Sequence, residues 1–484
     1  MPREDVIRNR SARRRGTDSD RPRKRRPALG PSADESEEAA LLSALTGDDP
    51  RKAIHAARRL GALRHGGARE PLERLLTNPD VRLRLVSASA LGNLARPASR
   101  APLESALEDS DRHVRAQAAF ALSRIPDRRS VPRLVRVISQ DESALVRNAC
   151  AIALGRIGER GAIPALERAL TDESDRVRRE AIIALERCQD PAVAGKVRRF
   201  LRDPARRVRI ATTVVLGLKR DRDSVPDLLE FLENADLWEQ PALLVALGRI
   251  GTSACGAALA RSAEHPARWV RVCALHGLSE MRAPQTRAVA LSKLTDPAWA
   301  VRGAAALALG KAGNGADARA LGPLLEDPSS WVRRAAIYGL GALGAADFSG
   351  PIRRALDSSD PEVQLAAIWA VGRLEIREAI PTLLRLLEGA DLHDASARRT
   401  LVEGEGAVRL VSDAPVRLFD ALVQSLATLA RTGRDPSVLD ALSAARSRLS
   451  KSELEQPARL PAPWEMGEGS LSRRSLFAGV RDDR

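Results

Sequence analysis

Aromatic side chains are scarce in this 484-residue chain: they make up 3% of it, with one Tyr, six Phe and six Trp. With 44% hydrophobic residues, its core must therefore be Ala, Leu, Val and Ile, a mixture that suits closely packed helices better than sheets. No apolar run approaches the roughly 20 residues of a membrane span, and the first thirty residues carry no apolar stretch of the secretory type. The four cysteines (Cys150, Cys188, Cys255, Cys273) match no zinc or C-x-x-C spacing. They are expected to be buried, reduced and structural, which fits a cytoplasmic setting. Catalytic motifs are missing too: there is no P-loop, no G-x-S-x-G and no G-x-G-x-x-G before a strand. The six histidines are scattered, so no catalytic residue, metal or cofactor is expected.

What the chain does have is charge and repetition. Its net charge is +15, and residues 1–30 hold eleven Lys/Arg against four Asp/Glu, a net +7 in a stretch containing "SARRR" and "RPRKRR". Such a run buries no apolar surface, and residues 1–35 are expected to form a disordered basic tail. It is either an attractor for nucleic acid or a solubilising tail.

The repetition sets the fold. Segments such as "DRHVRAQAAFALSRI", "SALVRNACAIALGRI" and "AWAVRGAAALALGKA" align on one apolar residue, at Val114, Val146, Val177, Val208, Val270, Val301, Val332 and Val363. Steps are 31 or 32 residues with one double step of 62, and weaker copies at Lys52, Leu83, Glu239 and, after an insertion, Leu418 bring the count to twelve. Counting that residue as position 1, positions 1, 5, 8, 9 and 12 form an apolar stripe of helical period. A second apolar stretch follows in each unit, often entered through Pro, as in "AIPALERAL" and "AIPTLLRLL". Helix pairs this short cannot close a core alone, so they must stack.

The pattern Asp-(Pro)…Val-Arg-x-x-Ala-x-x-Ala-Leu-Gly…Ala-x-Pro-x-Leu resembles the HEAT-like repeat of the phycobilisome-lyase type, over roughly residues 36–450. The resemblance implies an all-α, right-handed α-solenoid of about twelve helix pairs, with the Val-Arg helix lining the inner, concave wall. It does not fix function, because scaffolds, lyases, a metal-dependent hydroxylase and DNA-repair proteins share such arrays. The His-Glu pairs that mark the HEAT-like hydroxylases are absent here.

Asp109, Asp141, Asp172, Asp203, Asp296 and Asp327 stand five residues before position 1, and Arg115, Arg147, Arg178, Arg209, Arg271, Arg302 and Arg333 directly follow it. A pair repeated in every unit predicts a structural ladder between neighbouring units, looser where it lapses at Glu239-Gln240 and Val363-Gln364.

On a helical wheel positions 3, 7 and 10 point away from the stripe, flanked by position 11 and the residue before position 1. Position 7 is apolar or aromatic along much of the chain, with His276, Leu307, Tyr338 and Trp369 in the C-terminal half. Position 11 is often basic, as at Arg249, Lys311 and Arg373. Trp238, Trp269 and Trp331 directly precede position 1, and Trp299 stands one residue earlier. Two readings follow: the rings line a docking surface, or each wedges between adjacent repeats.

Two stretches depart from the repeat. The period breaks over 388–412, where "RRTLVEGEGAVRLV" reads as a β-hairpin around Gly404 and Gly406. Residues 451–484 form a Pro-containing tail with a short basic amphipathic segment around Leu476 and Phe477. The leading functional reading is a non-enzymatic scaffold binding an acidic or amphipathic protein segment along the groove. The alternatives are nucleic-acid binding through residues 1–30 and the groove, or a lyase- or chaperone-type protein holding a hydrophobic or tetrapyrrole ligand.

Overall fold

The computed structural model describes residues 33–389 and a few helical residues between 421 and 441. The basic tail, the hairpin around Gly404 and Gly406, and the amphipathic segment at Leu476 and Phe477 lie outside the described residues. Those described contain 23 α-helices joined by short turns and 3-10 segments, and no strand. Each unit is an outer helix followed by a longer inner helix, and consecutive inner helices stack side by side.

Local chemistry explains the punctuation. Several inner helices start at an Asp whose carboxylate accepts N–H groups of the first turn, as Asp111 does from His113 and Val114. Outer helices start after a 3-10 turn with Pro in the first helical turn, at Pro132, Pro164 and Pro226. The helix Ala144–Ile157 ends at Gly158, whose φ of +70° suits a residue without a Cβ.

Stacking depends on position 10. Gly61, Gly92, Gly155 and Gly217 occupy it in their units, and a Cβ there would fall 2.7–2.9 Å from the Cα of Ala90, Ala121, Ala184 or Ala246, position 8 of the next inner helix. Position 10 is therefore a contact with the following repeat, which corrects its assignment to the outward face. The single-helix wheel allowed for one buried stripe. In a stack, the two flanks of each inner helix are covered as well. The same register joins Gly372 to Ser425, whose hydroxyl donates to the Ile368 carbonyl at 2.9 Å. The helix of the Leu418 unit thus stacks on the Val363 unit across the intervening insertion.

The charged pairs form an inter-repeat ladder. Among the described residues, Arg84, Arg115, Arg147, Arg178, Arg209, Arg271 and Arg302 each reach a carboxylate of the next unit at 2.7–2.9 Å. The remaining guanidinium nitrogen donates to two carbonyls of the unit's own turn, as Arg302 does to Asp296 and Pro297. Each Asp also accepts a backbone N–H two residues on, which shapes the helix entry.

The expected lapse at Glu239 does not occur. Glu239 is 3% exposed and takes the Arg209 guanidinium at 2.7 Å, in place of the usual Asp. Gln240 is the true departure: its amide donates to the Ala235 carbonyl, as the Arg would, and His265 stands where the next Asp would be. Gln364 instead donates to Leu356 O at 2.8 Å, eight residues back rather than the five or six reached by the Arg residues. Around Gln240 the core divides as well. One cluster runs from Leu41 to Ala258, another from Leu275 to Val438, and a small cluster of Leu244, Leu259, Ala263, Val270 and their neighbours lies between them.

All four cysteines are free and buried. Burial pushes the Cys188 thiol up to about 11 and that of Cys273 up to about 12, so neither is a thiolate at neutral pH.

Candidate binding surface on the inner helices

The entrances of the inner helices form one register along the array. In the units of Glu239, Val270 and Val301 this register carries Leu237, Trp238, Trp269 and Trp299. The three indoles are 75%, 48% and 50% exposed. Trp269 and Trp299 sit in the first turn of the helices Arg268–Met281 and Trp299–Ala312, whereas Leu237 and Trp238 lie in the turn just before the helix Gln240–Ile250. The helices Arg268–Met281 and Trp299–Ala312 start at Ala267 and Ala298, which supply no side-chain cap.

The other rings are packed differently. Trp331 stands at the same register but lies over Gly303, where any side chain would collide with the indole. Its outer face carries the Arg334 guanidinium, 4.2 Å from the ring centroid. Trp369 lies over Gly341, where a Cβ would come within 2.5 Å of the indole, and meets Tyr338 edge-on at 5.4 Å. Tyr338 is only 3% exposed. Of the two readings of the aromatic set, exposure accompanies Trp238, Trp269 and Trp299, whereas inter-repeat packing accompanies Trp331, Tyr338 and Trp369. The sequence signal that separates them is Gly303: position 3 of the preceding unit is Ile210 before Trp238 and Pro241 before Trp269, but glycine before Trp331.

Position 7 is a shallow floor. Ile183, Val214 and Val245 are buried, and His276, Leu307 and Trp369 partly so. At position 11 Arg249 and Lys311 are partly buried and Arg373 is exposed. Several members of the polar stripe bridge units: Lys311 pairs with Glu280 at 2.9 Å, and Arg124 donates to Asn93. Burial pushes the His276 imidazole below its ordinary value. Glu280 opposes this, while Lys311 and Arg249 add to it, so the ring is neutral at pH 7. A neutral imidazole on an apolar floor, with a carboxylate already paired to lysine, forms a lining.

Among the described residues no group of three or more His, Cys, Asp or Glu is placed to hold a metal ion, and no helix is long and apolar enough to cross a membrane.

A model of HEAT repeats matches residues 38–123, 100–186, 256–341 and 318–403, together more than half of the chain. The chain belongs to the HEAT-repeat family. The stretch between these matches, 187–255, contains the Glu239-Gln240 departure from the repeat. No curated protein sequence matches this HEAT protein. Among solved structures, yeast importin-β (Kap95p) superposes with a TM-score of 0.54 at 14% identity, over 86% of this chain and 64% of that one. YibA from E. coli matches at 21% identity with a TM-score of 0.40, over 54% of this chain and 99% of its own. The CpcE–CpcF complex of phycocyanin lyase from Nostoc sp. PCC7120 matches at 21% identity with a TM-score of 0.33, over 55% of this chain and 98% of that one. At these identities the likeness is one of fold.

Proposed function

We propose that this HEAT array is a binding scaffold. A protein segment docks across the inner-helix entrances of the Glu239, Val270 and Val301 units, on Trp238, Trp269 and Trp299. Leu307 and His276 continue the floor, and Arg249, Lys311 and Arg373 flank it for an acidic partner. The observation that carries this reading is the row of three exposed indoles in consecutive units of a chain that has only six Trp. A buried Trp removes about 150–250 Å² from water, and such rings dominate the energetics of interfaces. Leaving three of them in solvent gives up stability that packing them would supply.

The basic stretch 1–30 supports nucleic-acid binding as the second reading, and one experiment separates the two. Tagged full-length chain and chain lacking residues 1–30 are used to capture partners from lysate, each with and without nuclease. Equal recovery of the same protein in all four arms is expected. Recovery lost on truncation or nuclease treatment would move the function to the tail and to nucleic acid, whose contribution would also fall steeply with salt.

A further inference from the structure

The three exposed indoles stand one unit apart, and neighbouring packed helices lie about 8–10 Å from axis to axis. An extended chain in the polyproline II conformation has three residues per turn and rises about 3.1 Å per residue. Every third side chain therefore returns to the same face after about 9 Å, which matches the step between the neighbouring units that carry the indoles. A segment that is apolar at every third residue can seat one side chain on each ring without changing its own shape.

This chain contains such a segment. In "QPARLPAPWE" (456–465), Pro457, Leu460 and Pro463 repeat at that interval. In the N-terminal stretch, by contrast, the positions three residues from Pro22 and Pro27 hold Arg25 and Lys24. We infer that residues 457–463 occupy the tryptophan row of their own chain, with Pro457 against Trp299, Leu460 against Trp269 and Pro463 against Trp238. This rests on the reading that the row is a docking surface.

The reach is sufficient. The Gly372–Ser425 contact places the Leu418 unit directly after the Val363 unit, so Trp299 lies three helix steps back along the array, about 30 Å. The 16 residues from Ala441 to Pro457 span up to about 50 Å. Binding is helped because proline has little conformational freedom to lose, and aromatic-lined surfaces hold Pro-rich chains by ring-on-ring contact. The consequence is regulatory: the array is self-occupied until a partner displaces its own segment. That partner must present apolar side chains at the same three-residue interval.

The test uses the full chain. Leu460 is replaced by a photo-crosslinking benzoyl-phenylalanine, and the adducts are mapped by mass spectrometry. The expected result is intramolecular adducts in the peptides carrying Trp238, Trp269 or Trp299, with a yield independent of protein concentration. The yield should fall to background in a chain that also carries W238A, W269A and W299A, with the circular dichroism of the helices unchanged. Placing the probe at Arg459, off the apolar face, should give a much lower yield. Adducts on other parts of the array, adducts between two copies, or none at all would overturn the inference. Partner capture that depends on the three rings, without these adducts, would leave the docking surface standing and remove only its internal occupant.

Discussion

Replacing Gly248 with valine is expected to destabilise the array by about 3 kcal/mol or more and to split its unfolding into two transitions. A Cβ at Gly248 would fall 2.5 Å from the Cα of Gly277 and 2.8 Å from its carbonyl oxygen. Both obstacles are helix backbone, so no rotamer change relieves the clash and the two inner helices must separate. Neighbour contacts are what couple the units of a solenoid, and weakening one interface uncouples the blocks on either side. Here the interface lies where the charged ladder is interrupted, with Gln240 and His265 in place of the Arg and Asp, and where the core divides between the cluster ending at Ala258 and that starting at Leu275. Urea unfolding followed by circular dichroism would show the two steps. Gly195 is the control, because a Cβ there meets nothing within 4 Å. Gly195→Ala should be neutral or stabilising, by up to about 1 kcal/mol, through the smaller freedom of the unfolded chain.

The second large effect belongs to the ladder. Arg302→Ala leaves Asp327, which is 8% exposed, without the guanidinium that grips it at 2.8 and 3.0 Å. It also removes the donor to the Asp296 and Pro297 carbonyls. Breaking one side of a buried pair costs about 3–5 kcal/mol, and the residual solvent contact of this rung places it near 3. Arg302→Lys recovers part of that, since the charge returns but the fork does not. An exposed pair such as Arg202–Glu230 should cost less than about 1 kcal/mol when broken.

The same rung has a pH signature. Burial raises the Asp327 pKa, but the Arg302 guanidinium and the Ser329 N–H outweigh it and hold the group below its ordinary value. A depressed folded value means that the stabilisation is complete above the unfolded pKa of about 3.9 and is lost as pH falls through the folded value. Asp109 and Asp296 are lowered in the same way, by Arg84 and Arg271 acting against burial. The array should thus hold its stability between about pH 5 and 8 and lose it increasingly below about pH 4. The difference between wild type and Arg302→Ala should be largest above about pH 5 and shrink in acid.

The fold was largely legible because the repeat states its own rules. The Val-Arg frame gave the inner helices, the prolines gave the starts of the outer helices, and the Asp five residues before position 1 anticipated the ladder. What escaped depended on the neighbouring unit. Position 10 reads as outward on an isolated helix, and only the stack turns it into a contact with position 8 of the next one. Glu239 sits at position 1 rather than five residues before it, so its place in the ladder is set by reach across the interface. The aromatic residues divide for the same reason. Trp331 and Trp299 look alike in sequence, but only Trp331 has a glycine beneath it one unit earlier, and Tyr338 is enclosed by neighbours that no single-helix pattern contains.

The central claim is that the exposed tryptophans bind and the packed aromatics hold the array together. Two variants test it in parallel with wild type: one carries W238A, W269A and W299A, the other W331A and W369A. Partner recovery and urea unfolding are measured for each. The first variant is expected to lose capture and keep its unfolding midpoint, and the second to lose stability and retain capture wherever it remains folded. Undiminished capture by the first variant would contradict the claim.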